Sequence, residues 1–210
     1  MNENKEVIKM NNRISKEFAE VLGLLCAEGS HIISYSSYWE NNDFKKRYRK
    51  NKKSERIEFY SKDIKLANHY IFLLDKEFGF TFKRTKHGKI NIGNRAIIKR
   101  IIQQTPLGHL KWKVPNSVIN SNREIKVFFL RGFFDGDGTA INIARMFSTN
   151  ENGITQLSFL LSELNYKHTI QGPIIRSNRK PHYVLQLSRK DQIRFLEEIN
   201  PISKLPKLRK

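Results

Sequence analysis

The 210-residue sequence holds a single cysteine, Cys26, so it can form neither an internal disulfide nor a thiolate zinc cluster. Its six histidines (His31, His69, His87, His109, His168, His182) are scattered, and none falls into HxxxH or HExxH spacing. No apolar run approaches the roughly 18 residues of a membrane span, and no signal-peptide core is present. The opening MNENKEVIKMNN reads as a polar lead-in over residues 1–14, and an intracellular location, in the cytoplasm or nucleoid, is expected. Acidic residues are also scarce: 20 Asp+Glu stand against 39 Lys+Arg, a formal charge of +19. A compact surface carries that much like charge only where a polyanion rewards it. Nucleic acid is the first candidate, since Lys and Arg that neutralise phosphates release counterions. A membrane partner would need a cationic amphipathic helix or an apolar anchor, and neither is found.

What is present is a repeat. Phe18–Ser30 and Val127–Thr139 match in kind: each is an apolar helix with an internal glycine (Gly23, Gly132) that ends in acid–Gly–Ser/Thr, Glu28-Gly29-Ser30 and Asp137-Gly138-Thr139. Superposing the glycines aligns the acids without a gap. Alternation and turn residues extend the parallel. After the first copy come strands around residues 32–39 and 56–61, a helix over 63–78, a hairpin with arms 80–84 and 89–92, and a helix over 95–103. The second copy is followed by strands at 139–143 and 145–148, a helix at 154–164, hairpin arms at 166–171 and 183–188, and a helix at 191–199. The expected class is α+β, two pseudo-symmetric αββαββα halves spanning residues 15–119 and 120–210. Ser121 or Asn122 is expected to cap the second repeated helix.

Matched glycines at the same place in both helices imply that the helices pack on each other with backbones in close approach, at Gly23 and Gly132. Gly29 and Gly138 fit the left-handed residue that ends a helix, which puts Glu28 and Asp137 in the last turns. A carboxylate there faces the negative end of the helix dipole. Two such carboxylates side by side repel unless one is protonated or a cation lies between them. A hard divalent ion suits that pair: Mg²⁺, with Mn²⁺ able to substitute. Metals so held activate water and stabilise the leaving oxygen in phosphodiester hydrolysis. The Asp135-Gly-Asp137-Gly run is no calcium loop, because Ala140 and Met146 stand where Gly and Glu are required.

Leu130-Arg-Gly-Phe-Phe-Asp-Gly-Asp-Gly138 closely resembles the LAGLIDADG motif of homing endonucleases, and Val21-Leu-Gly-Leu-Leu-Cys-Ala-Glu-Gly29 resembles it more loosely. The resemblance implies a monomer with pseudo-two-fold symmetry. Its motif helices would form the central interface, and each half would present a saddle-shaped antiparallel sheet to the major groove of double-stranded DNA. Glu28 and Asp137 would then bind metal and cut one strand each, with the carbonyls of Ala27 and Gly136 as further ligands. A basic residue near each metal is implied too: Lys113, with Lys111 as understudy, in one half and Lys207, within Lys204–Lys207, in the other. The first motif departs from the pattern in having Cys26 for its first acid and Glu28 for Asp. The family also contains intron-RNA maturases and regulators that bind without cutting, so RNA stays open as a partner. An intein is not expected, as splicing-junction residues are absent.

On that architecture the basic run of residues 44–56 falls at the tip of a saddle, where Lys45, Lys46, Arg47, Arg49, Lys50, Lys52, Lys53 and Arg56 would hold phosphates. Lys86 and Lys89 in one hairpin, and Arg176, Arg179 and Lys180 in the other, sit at matched turns. Base contacts are expected from outward strand residues: Tyr35, Ser37, Glu58, Arg84, Asn91, Asn142, Arg145, Gln171, Arg176 and Gln186. The halves differ in sequence, so a non-palindromic target is expected.

Overall fold

A computed structural model of the chain describes residues 14–42, 45–178 and 180–204. Helix α1 (Lys16–Glu28) begins at Ser15, whose hydroxyl accepts from the Phe18 amide, and runs directly into strand β1 (Gly29–Asn42). Strand β2 (Lys45–Tyr60) returns antiparallel to β1, followed by α2 (Ile64–Phe78), β3 (Lys89–Ile92) and α3 (Arg95–Gln104). The second half repeats the order after a one-turn helix α4 (Asn116–Ile119): α5 (Arg123–Asp137), β4 (Gly138–Thr139), β5 (Arg145–Ser148), α6 (Glu151–Glu163), β6 (His168–Ile174), β7 (His182–Leu187) and α7 (Gln192–Ile199). Asn122, not Ser121, caps α5, its side chain accepting from the Ile125 amide at 3.1 Å. No helix of the described residues is long and apolar enough to cross a membrane.

The fold is α+β, with two antiparallel sheets ordered β1-β2-β3 and β4-β5-β7-β6. The halves are less alike than the sequence suggests. Residues 80–84 form no strand; Arg84 makes one bridge to Ile90, Phe82 packs against the core, and the Arg84 guanidinium donates to the Ser61 carbonyl at 3.1 Å. Likewise β4 stops at Thr139, because Ala144 is held by the Gln192 side chain and the Leu187 amide. β1 and β2, at 14 and 16 residues, make a far longer hairpin than β4 and β5.

Apolar side chains go all round α1 and α5, and both helices are buried along most of their length. They pack on each other at the matched glycines. A Cβ on Gly23 would strike the Phe129 carbonyl and come within 2.9 Å of the Phe133 amide; one on Gly132 would strike the Glu20 carbonyl and come within 2.9 Å of the Leu24 amide. The reciprocity is that of a two-fold axis between the helices. Around this centre α2 covers the first sheet, with Phe59 and Tyr70 at 4.2 Å between ring centroids, and Phe134 meets Phe195 of α7 at 5.6 Å. Trp112, from the loop between α3 and α4, reaches into the second half: its ring lies 4.9 Å from that of Phe133 and packs on Gly153.

Candidate active site

Gly29 and Gly138 correct one expectation. Their φ values are −88° and −99°, extended and not left-handed, since each helix passes straight into a strand. Glycine is required there for space: a Cβ on Gly29 would lie 2.8 Å from the Leu25 side chain, and one on Gly138 would be 2.5 Å from the Phe134 ring. The acids nevertheless stay in the last turns, as Glu28 and Asp137 are the final residues of α1 and α5.

Because the helices pack, their ends arrive together. Ala27 touches Gly136, and the Glu28 Cγ lies 3.3 Å from where a Gly136 Cβ would be. Lost hydration, then the charge of Glu28, pushes the Asp137 carboxyl up to about 7, while Lys204 opposes both. Glu28 is the more exposed of the two, yet lost hydration raises its carboxyl as well, again countered by Lys204. Among the described residues, the basic residue at the acid pair is therefore Lys204. Lys207 lies outside the described residues, and Lys113 is exposed and is not among the charges that shift either acid.

Lys204 owes its place to Asp135. That buried carboxylate accepts from the amides of Ile202 (2.9 Å) and Ser203 (2.8 Å) and from the Ser203 hydroxyl (3.2 Å). Cys26, the matching residue of α1, lies 3.9 Å from the Lys113 carbonyl, and burial pushes its thiol up to about 12. Thr105 does the pinning in that half: its hydroxyl donates to the Lys113 carbonyl at 2.7 Å and accepts from the Lys113 amide at 2.9 Å. The segment that carries the basic residue is thus pinned in both halves, by the Asp135 carboxylate in one and by the Thr105 hydroxyl in the other.

Residues 124–200 match the family model of the LAGLIDADG-like domain. Among solved structures, mesophilic variants of the homing endonuclease I-DmoI superpose with a TM-score of 0.61 at 18% identity, over 88% of this chain and 94% of that one. A structure of I-DmoI in complex with DNA and Mn gives 0.61 and 18%, over 88% and 96%. A lysine-to-alanine mutant of I-SmaMI gives 0.52 at 14% identity, over 90% of this chain and 86% of that one. A comparison with curated protein sequences finds no match. The second half of the chain thus matches that domain, and the chain as a whole shares the fold of these structures. The two motif-bearing helices are α1 and α5, and the acids are the last residue of each.

Two carboxylates and two helix ends are what this site offers a metal. Among the described residues no three His, Cys, Asp or Glu side chains cluster as a metal cage. The donor set fits an ion that takes few protein oxygens and fills its shell with phosphate and water, as Mg²⁺ does. The Ala27 and Gly136 carbonyls fall among the last four of their helices, which have no intrahelical partner.

Register fixes the faces of the two sheets, because directly paired residues share one. Ile57, Phe59, Ile90 and Ile92 face the helices. The opposite face of the first sheet carries Ser30, Ile32, Ser34 and Ser36 on β1, Lys52, Arg56 and Glu58 on β2, and Lys89 and Asn91 on β3. In the second sheet it carries Thr139, Arg145, Phe147, Gln186, Val184, Thr169 and Gln171. Asn91, Arg145, Gln171 and Gln186 therefore lie outward together, with the Arg145 Nε donating to Gln186 at 2.7 Å.

Other expected contacts fall elsewhere. Tyr35 pairs with Lys53 on the helix side of the sheet. The Ser37 hydroxyl is taken up by a bulge, accepting from the amide of Asn51, whose φ is 48°. Glu58 faces outward but is only 7% exposed, since it accepts from Arg56 (2.7 Å) and Lys89 (2.8 Å), which hold its carboxyl below the usual range. Asn142 sits in an exposed turn, and Arg84 covers Gly88. Lys46, Arg47, Arg49, Lys50 and Lys52 line the β1–β2 arm; Lys46 stands 5.3 Å over the Trp39 ring, and Arg49 pairs with Glu40 at 2.8 Å. Lys86 is exposed at the 85–88 turn, as is Arg176 before β7. Arg179 and the side chain of Lys45 lie outside the described residues. Sequence reasoning missed Ser30, Ser34, Thr169 and Phe147, which one core anchor per strand would have found by alternation.

Proposed function

We propose that the chain is a site-specific DNA endonuclease that hydrolyses one phosphodiester on each strand of a long, non-palindromic duplex with the help of a divalent metal. The observation that carries the reading is the meeting of Glu28 and Asp137 at the paired ends of α1 and α5, between two outward sheet faces. Mg²⁺ is the metal proposed, held by Glu28 and Asp137 with the Ala27 and Gly136 carbonyls, and when bound it supplies an activated water and charge neutralisation at the leaving oxygen. Lys204 balances the paired carboxylates and polarises the water beside them; Lys113 is proposed for the matching role in the first half. The outward strand residues read base edges, and the arm and turn lysines and arginines hold phosphates.

Both acids lie on one chain, so a monomer suffices, divided into halves at residues 15–119 and 120–210, and working inside the cell where its DNA is. Base readers differ between the sheets, Asn91 in one and Arg145, Gln171 and Gln186 in the other, which favours a target without two-fold symmetry. The test incubates the protein with a plasmid carrying the uninterrupted form of the locus that encodes it, with Mg²⁺ and in parallel with EDTA. A metal-dependent double-strand cut at one site supports the reading. Tight binding of DNA or of intron RNA with no cut under either condition would instead make the chain a regulator or maturase.

A further inference from the structure

Beside Asp137 opens a cleft of about 510 Å³ whose lining combines two chemistries. Ala27, Trp112 and Phe147 are apolar, and His109, Arg176, Lys180 and His182 add a set of cationic or hydrogen-bonding nitrogens. These come from separate parts of the chain: His109 from the loop between α3 and α4, the rest from the β6–β7 hairpin. The Lys180 Nζ meets the His109 Nε2 at 2.8 Å, so the ammonium donates and the ring accepts as a neutral imidazole. That leaves the His109 Nδ1–H and two ammonium protons without an acceptor among the described residues. The His109 carbonyl separately accepts from the Thr149 hydroxyl at 3.1 Å, which holds the loop without using the ring. Asp137 is the single carboxylate among the lining residues, and an anion is what this donor set lacks.

We propose that the cleft is a nucleotide subsite, taking one backbone phosphate on His109, Lys180, His182 and Arg176 and the attached sugar and base against Phe147. Assignment to the strand cut at Asp137 rests on the endonuclease reading; binding of a nucleotide does not. His109 and His182 are positioning residues here, fixing the phosphate relative to Asp137.

The experiment uses the full chain with ¹⁵N-labelled histidine in EDTA, titrated with inorganic phosphate in one arm and thymidine 3′,5′-bisphosphate in the other. The ring signals of His109 and His182 are expected to move while those of His31, His69, His87 and His168 stay. Half-saturation by the bisphosphate is expected at about tenfold lower concentration, since sugar and base add contact with Phe147. His109→Ala and Lys180→Ala should each weaken the bisphosphate about fivefold, a modest loss for one donor of several. Lys99→Ala, on the exposed face of α3, controls for general loss of charge. Equal response of all six histidines, equal affinity for the two probes, or a Lys99→Ala loss matching the others overturns the proposal. If the bisphosphate binds as described and no DNA is ever cut, the subsite is upheld and the endonuclease reading falls. If DNA is cut while His109 and His182 do not respond, the subsite falls alone.

Discussion

Gly23 lies against the carbonyl of Phe129 so closely that any side chain there meets the opposite helix's backbone. Alanine would improve helix propensity by about 1 kcal/mol. The obstruction is main chain, which cannot swing aside, and overpacking of this kind costs about 1–3 kcal/mol or more. Sterics should win. Gly23→Ala and Gly132→Ala are each expected to lower stability in urea unfolding by about 1–3 kcal/mol. A stabilised Gly23→Ala protein would mean that the helices do not cross here.

Asp135 should matter more than Cys26, although the two occupy matched positions. Asp135→Ala strands the amides of Ile202 and Ser203 and releases the loop that carries Lys204, at a cost of about 2–4 kcal/mol. Cleavage should slow as well, more at saturating than at limiting DNA, because the substrate surface is untouched. Cys26→Ala removes a small buried group and is expected to cost less than about 1.5 kcal/mol. Paired urea melts and single-turnover kinetics check both.

The raised carboxyl of Asp137 has a signed consequence for the metal-free protein. A folded-state value of about 7, against 3.8 for the free side chain, means the folded chain binds more protons than the unfolded one between those limits. Its contribution to stability is therefore full below about pH 4 and is lost as pH rises toward 7. Asp137→Asn does not titrate. In EDTA its stability advantage should be near zero at pH 4, grow through pH 5 and 6, and level off above 7 at about 2–4 kcal/mol. Urea melts across that range measure it, and an advantage that stays constant with pH would contradict the burial of Asp137 beside Glu28.

Salt dependence separates the basic residues of the β1–β2 arm. Arg47 and Lys52 carry no carboxylate partner among the described ion pairs, whereas Arg49 is already neutralised by Glu40. Replacing Arg47 and Lys52 together by alanine should reduce the slope of log affinity against log salt by about 1.8, at roughly 0.9 per lost phosphate contact. Arg49→Ala should change it by less than about 0.5. The measurement is fluorescence anisotropy on a labelled duplex over a salt series.

Helix pairing was readable from the sequence because two glycines and two acids recur at one spacing, and only close backbone approach explains a glycine inside an apolar helix twice. Gly29 and Gly138 were misread, since glycine serves left-handed turns and tight packing alike, and composition cannot separate the two. Residues 80–84 looked like a strand from their aromatics; Phe82 packs against the core instead, a contact that only the tertiary fold supplies. Outward residues such as Ser30 and Thr169 were missed for want of register, which the pairing of Phe59 with Gly29 and Ile90 supplies. The second basic residue was placed within Lys204–Lys207, but that Lys204 approaches the acids was not legible, because it depends on hydrogen bonds that Asp135 makes across 67 residues of chain.

Glu28→Gln and Asp137→Asn, assayed separately on a duplex labelled differently on each strand, test the central claim most directly. Each substitution keeps size and hydrogen bonding while removing the charge that holds metal. The account predicts that each slows double-strand cleavage by two orders of magnitude or more, equivalent to about 3 kcal/mol of transition-state stabilisation, with DNA affinity within about twofold of the unsubstituted chain. Unimpaired double-strand cleavage by either variant would contradict it.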